Sequence, residues 1–266
     1  MNPVLKFFGS KWRLAPWVIR HLPPHSVYVE PFGGSAAVLL QKQPSYLEIY
    51  NDLDDGLVEF FRLLRDNPFC LIRAITLTPF SRREMEIARM RALDPLERAR
   101  RLYVLAWQGR GGERAGTGGR PSWLYQRNAK RGGRNVDYWT RTEHLWLAAE
   151  RLRHVQIECD DALDVIARYD SPETLFYLDP PYPHHTRGSH PVSYAHEYSD
   201  DDHHRLADIL HTIAGAAAIS SYPSPLYDEL YSDWERIQTR ARTQSHETRT
   251  EVLYISPRAA NAGRLL

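Results

Sequence analysis

Apolar positions along this chain keep two rhythms. Short runs of four to seven mostly apolar or β-branched residues, bounded by Pro, Gly, Asp or Ser, read as strands at Ser26–Phe32, Tyr46–Asp52, Val155–Cys159, Thr174–Asp179 and Ala216–Ser221. Two more, Glu235–Thr239 and Glu251–Ser256, lie close enough together to form an antiparallel hairpin. Between the runs the spacing changes to three and four, as with Leu206, Ile209, Leu210 and Ile213 in a helix expected over Asp200–Ala214. Further helices are expected at Lys11–His21, Ser35–Gln43, Asp54–Arg65, Glu143–Arg153 and Ala162–Tyr169, with a short one around Tyr227. Strand and helix alternate except between residues 67 and 140, where the pattern is mostly helical and basic. The expected architecture is therefore a doubly wound α/β sheet ending in an antiparallel hairpin. Residues 1–66 and 141–266 form its main domain, and 67–140 an inserted subdomain.

Chemistry gathers where the expected strands end. Phe176-Tyr177-Leu178-Asp179-Pro180-Pro181-Tyr182 is an apolar run closing in an acid, two prolines and an aromatic ring. Neither proline has an N–H, so the turn leaves the ladder and keeps its carbonyls available. Asp179 and the Pro180 carbonyl together offer acceptors and no donor, with Tyr182 as a flat wall, which suits a planar ring bearing an amine. A proline-terminated strand end is the plainer reading. Earlier, Glu30-Pro31-Phe32-Gly33-Gly34-Ser35 follows a strand and precedes an expected helix, which Ser35 would cap. Gly33 and Gly34 permit close approach of a ligand to the backbone, as at nucleotide sites of α/β sheets. The segment lacks both the three-glycine dinucleotide pattern and the Gly-Lys-Ser/Thr of a phosphate loop. One strand later, Asn51-Asp52 places a carboxylate where doubly wound sheets hold ribose hydroxyls; Asp52 could also cap the next helix.

A fourth segment, Leu5-Lys6-Phe7-Phe8-Gly9-Ser10-Lys11, opens the chain. Taken in order with Glu30–Ser35, Asn51–Asp52 and Asp179–Tyr182, it resembles the Dam-type, D12-class family of DNA adenine N6-methyltransferases from Leu5 to about Pro257. Ser220-Ser221-Tyr222 and Glu251–Ile255 are similar to the last strands of such enzymes. The resemblance implies a Rossmann-like S-adenosylmethionine-dependent fold whose insertion recognises the target, with double-stranded DNA as partner. It also implies methyl transfer from S-adenosylmethionine to the N6 amine of a flipped-out adenine, with Asp179, Pro180, Pro181 and Tyr182 catalytic. Phe7, Lys11, Glu30, Pro31, Phe32, Gly33, Gly34, Asp52, Asp161 and Asp179 would then hold the cofactor, Asp52 at the ribose and Asp161 at the adenine. A monomer needing no metal, and a cognate restriction endonuclease as a possible partner, go with the same family. Alternatives from other classes are an N4-cytosine methyltransferase, an enzyme acting on RNA, and a silent DNA-binding module.

Composition narrows this picture at three points. The net charge of +1 looks wrong for a DNA binder, but Phe80–Asn135 carries fourteen Arg and Lys against five acids. Trp107, Trp123 and Tyr125 are interleaved there, as suits contacts to phosphates and base edges, although a solvated arginine face reads similarly. Cys70 and Cys159 follow Phe69 and Glu158 rather than proline, which argues against covalent thiolate catalysis; both are expected as small core residues. His184, His185, His190, His196, His203 and His204 follow the Asp179 motif without metal-ligand spacing. Pro183–Glu197, with Arg187, is expected to be a flap over the base and its phosphates. No apolar stretch is long enough to cross a membrane and no leader pattern is present, so the expected location is cytoplasmic.

Overall fold

In a computed structural model, which describes residues 2–6, 9–109, 122–126, 135–187, 196–242 and 248–262, all seven expected strands are present. They are β1 (Val27–Glu30), β2 (Leu47–Asn51), β3 (Val155–Glu158), β4 (Thr174–Leu178), β5 (Ala216–Ser221), β6 (Glu235–Arg242) and β7 (Thr248–Ile255). They form one sheet in the order β3-β2-β1-β4-β5-β7-β6, with β1 to β5 parallel and β7 antiparallel to both of its neighbours. The order reverses between β1 and β4, where a doubly wound sheet opens a crevice at its carboxyl edge.

Both faces are covered, so the central strands are apolar on both sides. Tyr28, Tyr50, Leu175, Tyr177 and Leu253 enter one cluster; Val29, Ile49, Phe176, Leu178 and Val252 enter the other, in the period of two that a strand imposes. Helices α1 (Ala15–Ile19), α2 (Asp55–Asp66), α3 (Pro68–Thr76), α4 (Arg82–Ala88), α5 (Pro95–Gln108), α6 (Asn135–Trp139) and α7 (Glu143–Leu152) supply residues to the first cluster. Helices α8 (Ala162–Tyr169), α9 (Asp200–Thr212) and α10 (Pro225–Leu230) supply the second. A last helix, α11 (Pro257–Ala262), was not anticipated by the spacing. The helices of residues 67–140 share the first core, since Leu71, Ile72, Met85, Tyr103 and Val104 are all buried in it. Trp107 Nε1 ties them to the amino-terminal segment by donating to the Val4 carbonyl at 2.9 Å, and Trp139 Nε1 closes the segment on itself by donating to the Thr78 carbonyl at 2.8 Å.

Four local expectations are corrected. Residues Ser35–Gln43 make a series of turns and no α-helix; Ala36 takes φ 53°, and the Leu39 N–H goes to the Glu30 carboxylate at 2.7 Å. Ser35 is accordingly no cap, and its hydroxyl pairs with that of Ser10 at 2.7 Å. Only Ala15–Ile19 of the expected Lys11–His21 helix is helical, because Pro16 suits a first turn and residues 12–14 are turns. Both cysteines are exposed. Cys70 lies on α3 away from its buried Leu71, Ile72 and Ile75, and Cys159 just follows the edge strand β3.

Candidate active site

The carboxyl ends of β1 and β4 lie side by side, so Glu30–Gly34 and Asp179–Tyr182 are brought together by strand pairing alone. Asn51, completely buried at the end of β2, ties three strand ends. Its amide nitrogen donates to the carbonyls of Pro31 (2.8 Å) and Asp160 (3.0 Å), and its oxygen accepts from the Asp160 N–H (2.9 Å). Gly33 must be glycine, since a Cβ there would lie 2.2 Å from the Tyr50 ring and 2.7 Å from the Asn51 carbonyl oxygen. Its N–H donates to that same oxygen at 2.7 Å, and the Tyr50 hydroxyl donates to the Gly34 carbonyl at 2.8 Å. The loop is thus pressed onto β2 with its remaining edge facing a cleft.

That cleft has about 990 Å³ of free volume counting its open mouth. Lys11, Glu30, Pro31, Phe32, Gly33, Gly34, Asp52, Asp161, Asp179 and Pro181 all line it. Pro180 and Tyr182 are buried behind Asp179, and Phe7 lies outside the described residues. Asp52 accepts the Gly34 N–H through Oδ2 at 2.7 Å and the Asp54 N–H through Oδ1 at 2.9 Å. The cap of α2 is Asp54, which receives the Gly56 and Leu57 N–H groups, so the capping alternative for Asp52 is set aside. Asp161 caps α8 by accepting the Leu163 N–H at 2.8 Å while still lining the cleft. Phe32 meets Tyr198 edge-on at 5.5 Å between ring centres, and with Val38, Leu57 and Ala162 they give the cleft apolar walls.

Carboxylates crowd this edge, and burial dominates their titration. Glu30 is pushed up to about 8 by desolvation, against donations from the Tyr28 hydroxyl and the Leu39 N–H at 2.7 Å each. Burial also lifts Asp52 to about 6, opposed by the N–H groups of Asp54 and Gly34. Asp179 is raised by burial too, with the Lys11 ammonium and the Tyr182 hydroxyl working the other way. Lys11 Nζ stands 2.9 Å from Asp179 Oδ1, donates to the Gly9 carbonyl at 2.9 Å, and lies 4.6 Å from the centre of the Tyr182 ring. The Tyr182 hydroxyl donates to Glu251 at 2.9 Å and its ring meets Tyr222 edge-on at 4.7 Å.

Sequence reasoning took Glu251 only as a strand residue and did not single out Tyr198. A carboxylate opening an apolar run was the available signal for Glu251. His196 lines the cleft, whereas His203 is fully buried, held to about 4 by desolvation, and bonded to the Tyr227 hydroxyl at 3.1 Å, so it belongs to the core. Arg187, expected on the flap, is buried; its guanidinium reaches the Tyr182 carbonyl and Glu197 instead of solvent. Gly188–Ala195, the middle of that flap, lies outside the described residues, as does most of Gln108–Gly133. Among the described residues, no group of three or more His, Cys, Asp or Glu could hold a metal ion, and no helix is long and apolar enough to cross a membrane.

Comparison with known proteins converges on one family. The model for D12 class N6 adenine-specific DNA methyltransferases matches residues 7–245. The chain is 26% identical over 282 residues to the Type II methyltransferase M1.LlaDCHI of Lactococcus lactis subsp. cremoris, covering 95% of this chain and 94% of that protein. It is 28% identical over 229 residues to a DNA adenine methylase of Vibrio cholerae, covering 81% and 78%. It is also 24% identical over 280 residues to the Retron Ec67 DNA adenine methylase of Escherichia coli, covering 96% and 92%.

Proposed function

The chain belongs to the D12 class N6 adenine-specific DNA methyltransferase family, and from that premise we propose that it moves a methyl group from S-adenosylmethionine to the N6 amine of an adenine turned out of duplex DNA. The observation that carries this reading is the pairing of β1 with β4, which sets an acceptor-only loop at Asp179–Pro180 beside the cleft lined by Glu30–Gly34 and Asp52. The donor set fits the cofactor. Asp52 keeps carboxylate lone pairs toward the cleft for ribose hydroxyls, Phe32 and Tyr198 offer apolar faces for an adenine, and Glu30, Lys11 and Asp179 surround the end suited to a charged amino-acid group. When bound, S-adenosylmethionine supplies an electrophilic methyl group on a sulfonium.

The protein's own part is positioning and electrostatics. An adenine amine is a poor nucleophile because its lone pair is spread into the ring. Asp179 and the Pro180 carbonyl, accepting its two N–H groups, favour a pyramidal nitrogen whose lone pair points away from them. Lys11 Nζ lies beside Asp179 Oδ1 and over the Tyr182 ring, so a base stacking on that face displaces the ammonium and brings its amine to the carboxylate. The vacated ring then stacks on the base, which has to leave the duplex to reach so buried a loop. Asp161 would contribute a contact to the cofactor adenine. The segment 67–140, and above all its arginines, would hold DNA and read its sequence.

Transfer from labelled S-adenosylmethionine to unmethylated duplex DNA, followed by nucleoside analysis, tests this. N6-methyladenine is expected, lost by a factor of about 10² or more in Asp179→Ala. N4-methylcytosine would overturn the adenine assignment, and transfer to RNA alone would overturn the substrate.

A further inference from the structure

Strand β7 runs against β5, so it begins at the same sheet edge where the parallel strands end. Ser221, the last residue of β5, pairs with Val252, which sets Glu251 level with Tyr222 beyond the end of β5. Glu251 is the first buried residue of β7, only 7% exposed, in a place where a carboxylate is costly. It accepts the Tyr182 hydroxyl at 2.9 Å, and Tyr222 packs on the same tyrosine ring. Burial raises its proton affinity, Lys11 is the foremost charge working against that rise, and Asp179 adds to it. Arg249, two residues earlier on β7, lies with its guanidinium 5.3 Å from the Tyr222 ring centre.

A charge-assisted hydroxyl bond to a buried carboxylate anchors the outer end of a tyrosine ring and so fixes its position and tilt, while packing sets its rotation about its own axis. The ring concerned is the one on which the target base is to stack, in the tetrapeptide that also carries Asp179. We propose that Glu251 is a positioning residue for methyl transfer: from the antiparallel hairpin it holds Tyr182 by its hydroxyl and so sets the base platform and the Asp179 loop. The hairpin thus belongs to the reaction as well as to the core. This inference rests on the adenine-methylation reading above.

Four proteins test it: wild type, Glu251→Ala, Tyr182→Phe and the double variant, with Glu251→Gln added because it keeps an acceptor oxygen. Because Glu251 acts through the Tyr182 hydroxyl, both single variants are expected to lose about tenfold or more in kcat, and the double variant no more than the worse single one. Cofactor affinity is expected to stay within about twofold, and Glu251→Gln to regain most of the loss. Losses that multiply in the double variant, a change in KM with kcat intact, or a glutamine no better than alanine would each overturn the proposal. A wild-type protein that methylates no DNA would sink the activity reading instead. The contact is then decided by thermal unfolding of the same variants, where additive shifts in Tm exclude the Glu251–Tyr182 coupling.

Discussion

At the scale of single residues, the cost of placing acids at a strand edge is clearest at Glu30. Its carboxyl is buried at the end of β1 with its ordinary value displaced upward to about 8 by desolvation. The folded chain therefore keeps a proton that the unfolded chain releases from about pH 4.5 upward. Stability from this group is whole below pH 4.5, falls as pH climbs toward 8, and changes no further above it. Asp52, raised from 3.8 to about 6, acts with the same sign over a lower window. The protein alone should accordingly melt at lower temperature at pH 8 than at pH 5, and Glu30→Gln should flatten that decline while leaving the Tyr28 and Leu39 donors an oxygen. Melting curves from pH 5 to 9 check it. A variant as pH-dependent as the parent would mean that Glu30 titrates near its ordinary value.

The segment after Gly34 shows at the scale of elements what local pattern does and does not reveal. Ala36-Ala37-Val38-Leu39-Leu40 has good helix formers and no breaker, yet forms turns. Its Leu39 N–H is claimed by Glu30, nine residues back, and its Leu39 carbonyl by Arg151, 112 residues on at 2.9 Å. No window along the sequence contains those partners, whereas strands β1, β2 and β4 were legible because their apolar runs carry the signal internally. Glu30–Gly34, Asp52 and Asp179, which line the cleft, stand at the ends of such runs, whereas Glu251 is marked only by a carboxylate that opens one. The turn is locked by a buried ionic cluster. Glu48 accepts from Lys42 at 2.7 Å and from Arg151 at 2.8 Å, and Lys42 also lies 4.3 Å from the Tyr28 ring centre. Removing the shared anion leaves two cations of 4% and 12% side-chain exposure facing each other. Glu48→Ala should then cost about 3–5 kcal/mol in denaturant unfolding, more than Glu48→Gln, which keeps an acceptor. A loss below about 1 kcal/mol would show that the cluster adds no more than surface pairs do.

Over the whole molecule the charges nearly cancel at +1, so attraction to DNA has to come from where they lie. Among the described residues of 67–140, some arginines are paired with acids and others are exposed. Arg98 pairs with Glu59, while Arg100 and Arg101 bind Glu97, and Arg100 also reaches Glu84 at 2.7 Å; these neutralise neighbours and brace α4, α5 and α2. Arg82, Arg83 and Arg91 are exposed, and Arg82 lies 4.8 Å from the Trp123 ring centre and 5.7 Å from that of Tyr125, an arrangement able to meet phosphate and base together. Among the described residues, Arg83 has an exposed 3.3 Å pair with Glu86 to give up. Each phosphate that is no longer neutralised should flatten the plot of log K against log salt by about 0.9. Changing Arg82, Arg83 and Arg91 together to Ala is thus expected to lower the slope by about 2–3, with cofactor affinity and Tm nearly unchanged. Arg100→Ala should do the reverse, lowering Tm by stranding Glu84 and leaving Glu97 with Arg101 alone, while the slope stays the same. Fluorescence anisotropy of a labelled duplex across a salt series separates the two sets. An unchanged slope in the triple variant would move the DNA-binding surface off α4 and onto another part of the chain.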